Sequence, residues 1–353
     1  MILLKKLFWM CLLASSLNAF NTQSIPIHGF MDMGSAYTDE DGKVNFTTGS
    51  LDLYLTKDIS ERMNVLIELL FETDGSAFIT DLERLQISYA YNEYITATFG
   101  KFHTPYGYWN TAFHHGAQIQ TSILRPKFIA FEDEGGVLPS HGVGMAFNGY
   151  LEDISYTFYI TGGSSISLNE DNNSSSSTGG NLSTNNGQGQ DGTKLYGLNL
   201  AYEFEELTLG LHSFYQDVSI FLGRETSVFM YGGYLLYETD SIELIAETYF
   251  YDNKNIKGGI LDKRLYSNTT FAQIAYNIND YTPYLRLETA SYNDADLYFH
   301  SQLDTAGGSY DRLALGLRYE LNDDASLKVA YLHTNESISK DHSSVLTQLA
   351  IRF

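Results

Sequence analysis

The sequence predicts an all-β fold: a transmembrane antiparallel β-barrel of about sixteen strands. Three observations lead there. Segments alternating between apolar and polar residues recur along most of the 353-residue chain. The connections between them sort by parity, short after even-numbered segments and often long after odd-numbered ones. The chain opens on a secretory signal, yet no later stretch is apolar enough for a membrane helix. Lipid offers no partner to backbone N–H and C=O groups, so a chain that enters it without such a helix must close into a barrel.

Residues 1–19 read as the signal peptide. Lys5 and Lys6 precede an apolar run from Leu7 to Leu13, and Leu17-Asn18-Ala19 sets cleavage after Ala19. A single membrane anchor is excluded by length, since spanning needs about 20 apolar residues. The one cysteine, Cys11, lies inside the signal. The mature chain, residues 20–353, is then a single barrel domain without a disulfide.

Sixteen strand segments follow, at 24–38, 44–57, 63–74, 80–92, 95–105, 141–151, 154–165, 194–204, 207–217, 226–239, 242–253, 265–278, 281–293, 309–321, 325–335 and 343–353. The turns "KDISER", "NE", "ED", "FEE", "TDS", "IND" and "NDD" close even-numbered strands. In "NVLIELLFE", Val65, Ile67, Leu69 and Phe71 share one face and Asn64, Glu68 and Glu72 the other. Likewise Leu285 and Leu287 oppose Arg286 and Glu288, and Ile242, Leu244 and Ala246 oppose Glu243 and Glu247. A soluble sheet would turn the charged face outward. In a wide barrel that face lines a wet lumen and the apolar face meets lipid. Tyrosine is abundant, with 27 copies. Tyr89, Tyr91, Tyr202, Tyr249, Tyr251 and Tyr319 are expected in the girdles at the membrane interface. The formal charge of −22 argues against nucleic acid as a partner, since phosphates would be repelled.

Two long connections differ in character. Residues 163–193, rich in Ser, Asn and Gly, lack the apolar residues to fold alone and read as a mobile external loop. Residues 106–140 carry Ile119, Ile123, Leu124, Phe128, Ile129 and Phe131, which need a surface to pack on. The inner barrel wall would provide it, giving a constriction; the alternative is an external lid.

The chain ends in "SVLTQLAIRF", with Val345, Thr347, Leu349, Ile351 and Phe353 on one face, and "GKFHTPYGYW" at 100–109 closes strand five. Signal, strand number, terminal Phe and this segment together resemble the sixteen-stranded porin superfamily of Gram-negative outer membranes. The segment is similar to one found in several porin families, phosphate-selective types included. The terminal strand departs from the usual pattern in having no second aromatic near Phe353. The resemblance implies that the loop after strand five, 106–140, folds into the channel. It also implies a homotrimer set among lipid and lipopolysaccharide, and recognition of Phe353 by the barrel-assembly machinery.

If the loop lies inside, Glu132, Asp133 and Glu134 form the acidic side of the constriction. By strand parity Arg84, Arg286, Arg318 and Arg352 form the basic side, with Arg312 and Lys328 inward but nearer the ends. Such charges would set a transverse field worth about 1 kcal/mol per pair at roughly 8 Å. The alternative is that the arginines pair with Glu68, Glu72, Glu243, Glu247, Glu288 and Glu320 on the same wall. Arg125 and Lys127 could form an anion site on the loop, whereas the overall acidity favours a weak cation preference. His103, His114, His115 and His141 gather near Glu132 and Asp133, but their spacing matches no metal site. No nucleophile elbow, phosphate loop or zinc helix is present, and no cofactor is implied. In "LHSF", His212 points inward and Ser213 outward, which does not suit a barrel phospholipase. The expected function is a passive diffusion channel for small hydrophilic solutes and ions. The alternative is a substrate-selective channel of anion or phosphate type.

Overall fold

The computed structural model describes residues 27–40, 42–74, 77–113, 116–132, 134–168, 179–184, 192–261 and 263–353; the signal segment 1–19 lies outside them. β1 (Ile27–Thr38) pairs antiparallel with β19 (His342–Arg352), so the sheet closes on itself. The second stave is split into β2 (Val44–Thr47) and β3 (Ser50–Ser60), both paired to β1. The break falls at Gly49, whose φ is +59° and whose missing Cβ leaves room for the Asp32 carboxylate. The next staves are β4 (Met63–Asp74), β5 (Ala77–Ala90), β6 (Thr96–His103), β7 (His141–Leu151) and β8 (Ile154–Gly162). They continue with β11 (Lys194–Phe204), β12 (Leu207–Ile220), β13 (Arg224–Glu238), β14 (Ile242–Lys257), β15 (Arg264–Tyr276), β16 (Tyr281–Ser291), β17 (Tyr310–Asn322) and β18 (Ala325–Glu336). All sixteen expected strands are present, and each pairs antiparallel with its neighbours. Tight turns at Glu152, Glu205 and Asn279 take positive φ, as two-residue hairpins require.

The two faces follow the alternation. In β16, Thr282, Tyr284, Arg286, Glu288 and Ala290 are buried, while Leu285 and Leu287 are exposed. Glu68 and Leu70 turn inward from β4, leaving Val65, Ile67, Leu69 and Phe71 on the outer, lipid-facing side. Exposed leucines and aromatics such as Leu211, Tyr266 and Phe250 continue this skin around the barrel.

Two expectations are corrected. Tyr249 and Tyr251 do not join the outer girdle: they share a face with Glu247 and are buried inside, whereas Tyr89, Tyr91 and Tyr202 are exposed outside. Residues 163–193 are not wholly a solvated loop. β9 (Ser165–Leu168) and β10 (Gly180–Ser183) form a hairpin that buries Ile166 and Leu182.

The inward face of β12–β15 carries a buried apolar cluster among polar residues such as His212, Gln216, Glu247 and Asn253. Phe214, Met230, Ile245, Tyr249, Tyr251 and Phe271 form one cluster with Tyr106, Trp109, Phe128 and Ile129, and with Leu297, Tyr298 and Phe299 of the β16–β17 connection.

Candidate functional site

The site is built by residues 106–140 and the inward-facing side chains they touch. The segment's two ends are tied together, since Thr104 N–H donates to the Ser140 carbonyl and the Asn110 amide to both Thr104 and Ser140 carbonyls. A helical turn at Trp109–Ala112 follows. Its Trp109 N–H donates to Glu247 Oε1 at 2.6 Å. Gly107, at φ +61°, passes so close to Glu247 and the Tyr249 hydroxyl that a Cβ would collide with both. Wall chemistry and loop sequence are matched here: an acid that parity turns inward receives the first free amides of a helical turn.

Further along, three wall cations grip loop carbonyls. Arg318 donates to Gln118 O and Gln120 O, and its other nitrogens pair with Glu320. Lys328 donates to Ala117 O, Gln120 O and Ser122 O. Arg286 donates to Leu124 O at 2.8 Å, Ser122 Oγ at 2.9 Å and Arg125 O at 3.2 Å, with Glu288 Oε1 at 2.8 Å. Glu288 in turn accepts from Lys127 N–H at 2.7 Å. Of the loop's apolar residues, Phe128 and Ile129 join the main cluster and Ile123 a smaller one with Tyr284 and Leu332, while Ile119 and Leu124 stay partly exposed.

The predicted basic side is therefore dispersed. Arg286 and Arg318 lie under the loop, bonded to its backbone and to the adjacent wall glutamates. Arg84 pairs with Glu68. Arg352 stands apart at the rim, about half exposed and paired with Asp324 of the β17–β18 turn at 3.0 Å. Lys328, expected nearer the end of its strand, is as enclosed as Arg286, each at 1% exposure. Arg312 donates to Thr334.

Arg125 and Lys127 are not brought to one open point. Arg125 donates to Ile129 O and Asn110 Oδ1, both at 2.7 Å, and stacks on Phe131. Lys127 pairs with Glu336 at the end of β18. Burial lowers the pKa of both side chains.

On the acidic side, Glu132 accepts from Ser140 N–H at 2.6 Å and from the Thr184 hydroxyl at 2.8 Å, just beyond β10. Glu134 is exposed and Asp133 lies outside the described residues. More acids come from the wall opposite. A bulge between Glu68 and Leu69 leaves one extra residue on β5, so Glu83 and Arg84, though consecutive, both reach the interior. Glu83 meets His141 and Glu68 meets His103. His114 and His115 lie outside the described residues, and no trio of metal-type ligands gathers among those described.

Two cavities lie between the loop and this wall. One, about 360 Å³, is lined by Asp32, Glu72 and Glu134 with Gln120, Arg125 and Gln348. The other, about 290 Å³, is lined by Glu72, Asp81, Glu83, Glu132 and Glu134, with Asn181 and Thr184 from the hairpin region. Asp32, Asp81 and Glu83 were not singled out from sequence. The split stave and the bulge that present them depend on pairing partners, which alternation does not reveal.

The fold resembles that of the outer-membrane channel DcaP of Acinetobacter baumannii (12% identity, 95% of this chain and 99% of that one, TM-score 0.65). It also resembles an anion-selective porin from Comamonas acidovorans (13%, 94% and 99%, TM-score 0.63) and the trimer form of OmpT, an outer-membrane protein of Vibrio cholerae (9%, 94% and 99%, TM-score 0.62). At these identities the likeness concerns the fold. No curated protein matches the sequence. A family model for Gram-negative porins matches residues 7–342, nearly the whole chain, so the protein belongs to that family and is a channel of the outer membrane.

Proposed function

We propose that residues 106–140 narrow the bore of a passive diffusion channel for small hydrophilic solutes and ions, with a weak preference for cations. The observation that carries this reading is the charge around the two cavities. Asp32, Glu72, Asp81, Glu83, Glu132 and Glu134 border them, whereas Arg286, Arg318 and Lys328 are turned against loop carbonyls and Arg125 is the one Arg or Lys in the described lining. Carboxylates beside an aqueous path raise the local concentration of cations and lower that of anions. An anion-selective reading, centred on Arg125 and Lys127, is less well supported because both side chains already hold partners. Assembly as a homotrimer, contact with lipid and lipopolysaccharide, and recognition of Phe353 during insertion belong to the same proposal; the trimer form of the similar Vibrio protein supports the first.

The test is the zero-current potential of the purified protein in planar bilayers across a tenfold KCl gradient. The wild type should give a potential of cation-selective sign. Glu132→Lys with Glu134→Lys should move it toward zero or past it, by tens of millivolts. An unchanged potential removes these two residues from the constriction.

A further inference from the structure

Residues 163–193 leave the sheet and return to it at one point. β8 and β11 are direct neighbours, Gly162 stands opposite Lys194, and Gly163 N–H donates to Thr193 O at 3.0 Å. The barrel wall is therefore continuous without the excursion, and the β9–β10 hairpin is an addition to it. The hairpin has a period of two. Ile166 faces Leu182 across it, and the two are 2% and 3% exposed. The alternate positions, Ser165, Ser167, Asn181 and Ser183, are polar and less buried. A two-stranded hairpin is marginal by itself in water, so its place depends on what its apolar face meets.

It meets three sectors of the ring. On one side Ser165 and Ile166 run parallel to Ser219 and Ile220 of β12, and Ser164 N–H donates to Gln216 Oε1 of the same strand at 2.9 Å. Elsewhere Gly180 N–H donates to Ser301 O of the β16–β17 connection at 2.7 Å. On the third side Ser167, Asn181, Ser183 and Thr184 line the cavity of about 290 Å³, with Glu72 of β4, Asp81 and Glu83 of β5, and Glu132 of the 106–140 loop. The Thr184 hydroxyl donates to Glu132 at 2.8 Å. Between β4 and β12 stand β5, β6, β7, β8 and β11. A short hairpin that reaches inward-facing residues of both, and the β16–β17 connection as well, lies as a chord across the lumen. A flap on the outer rim could not reach all three.

We infer that the β9–β10 hairpin is a second constriction of this channel, laid across the external mouth, and that its polar face limits the size of the solutes admitted. The inference rests on the reading of the acid-bordered cavities as the passage and adds an element that sets its bore. The two sides of the smaller cavity divide the work. The wall and Glu132 supply charge, which selects by sign, whereas the hairpin supplies hydroxyls and an amide, which select by room. Pockets that hold drug-sized molecules start at about 300 Å³. A chamber of about 290 Å³ thus suits hydrated ions and single sugar rings, and not chains of several rings.

Cys11 is the one cysteine of the sequence, so in a Cys11→Ser background an introduced thiol is unique. Ser167→Cys places it on the exposed polar face of the hairpin, and Ser241→Cys on the exposed turn between β13 and β14, at the opposite end of the barrel. Single-channel KCl currents of the full-length protein in planar bilayers are recorded before and after benzyl methanethiosulfonate, a neutral reagent, and again after reduction. Conductance of Ser167→Cys should fall by about half or more and return on reduction, while Ser241→Cys should not respond. Leu182→Asn sets an amide in the apolar docking face and should release the hairpin, raising the ratio of raffinose to arabinose entry in liposome swelling about threefold. Folding of each variant is checked by heat-modifiable gel migration. A Ser167→Cys thiol modified without loss of current, one that the reagent never reaches, or an equal loss at Ser241→Cys overturns the second constriction. A folded Leu182→Asn channel with wild-type sieving overturns its role as the limit on size. The zero-current potential keeps the two readings apart. A thiol block with no potential shift in the Glu132→Lys and Glu134→Lys variant sinks the charge reading and leaves the hairpin standing. A shifted potential without a thiol block sinks the hairpin alone.

Discussion

Arg286 shows how a wall residue can be placed by sequence and still be misjudged in role. Alternation alone turns it inward, opposite Leu285 and Leu287. What it meets there is the backbone of Leu124 and Arg125 and the Ser122 hydroxyl, some 160 residues away in sequence. It is 1% exposed and shares Glu288 with the Lys127 amide. Arg286→Leu should therefore destabilise the barrel by about 3–5 kcal/mol, because the Glu288 carboxylate keeps its burial and loses its counter-charge. The same change should open the bond after Lys127 to trypsin in the folded protein. Arg286→Lys should restore little, since one ammonium cannot reach acceptors spread over a guanidinium fork. Thermal unfolding in detergent and limited proteolysis check both; wild-type behaviour in Arg286→Leu would show that the loop is held by other contacts. Glu83 teaches the converse. Strict parity with Arg84 would place it outside, and only the bulge in β5 admits both.

At the scale of elements, residues 106–140 were legible as a segment needing a packing surface, because a run of apolar residues in a long connection has no other use. The β16–β17 connection, 292–309, was not. Its "DADLYFH" reads as an ordinary loop, yet Leu297, Tyr298 and Phe299 are buried and the Tyr298 hydroxyl donates to Val137 O at 2.5 Å. The short helix Leu297–His300 is capped by Asp296, whose carboxylate accepts from Tyr298 N–H and from the Asn253 amide. Burial pushes the Asp296 carboxyl up to about 6, against the opposing pull of those two hydrogen bonds. A folded-state value above the ordinary one means that the docked segment holds a proton which the undocked one has released. Docking should thus be strongest below about pH 4 and weaken as pH rises toward 6, by a few kcal/mol in all. Hydrogen exchange at Leu297–Phe299, corrected for intrinsic rates, should show more protection at pH 4.5 than at pH 7. Asp296→Asn should flatten that dependence; an equally steep profile in the variant would assign the effect to another group.

For the whole molecule, the closing pair β1–β19 completes a sheet with no free edge, which removes unpaired backbone groups from lipid. The apolar skin then has bilayer as its solvent. Leu287, at mid-strand in β16 and 55% exposed, belongs to that skin. Leu287→Arg should cost roughly 2–4 kcal/mol if the site lies near the bilayer midplane, read as a lowered folded fraction on refolding into lipid vesicles. A neutral outcome would place Leu287 away from hydrocarbon. Inside, the apolar cluster beneath β12–β15 and the acid-bordered cavities beside β1–β5 divide the interior into a packed side and a wet side. A bare sixteen-stranded cylinder would have no reason for such a division.

The sequence by itself determined the strand number, the parity of the turns and, with the exceptions of Glu83, Tyr249 and Tyr251, which face of each strand meets lipid. Those properties follow from a period of two and from local composition, and they survive in any one strand read alone. It could not determine which inward charges face water. Arg318 with Gln118 and Lys328 with Ala117 meet across about 200 residues, and whether a cation borders a cavity or clasps a carbonyl depends on that meeting. The tertiary structure decided it by laying loop backbone over the basic wall and leaving the carboxylates beside the cavities.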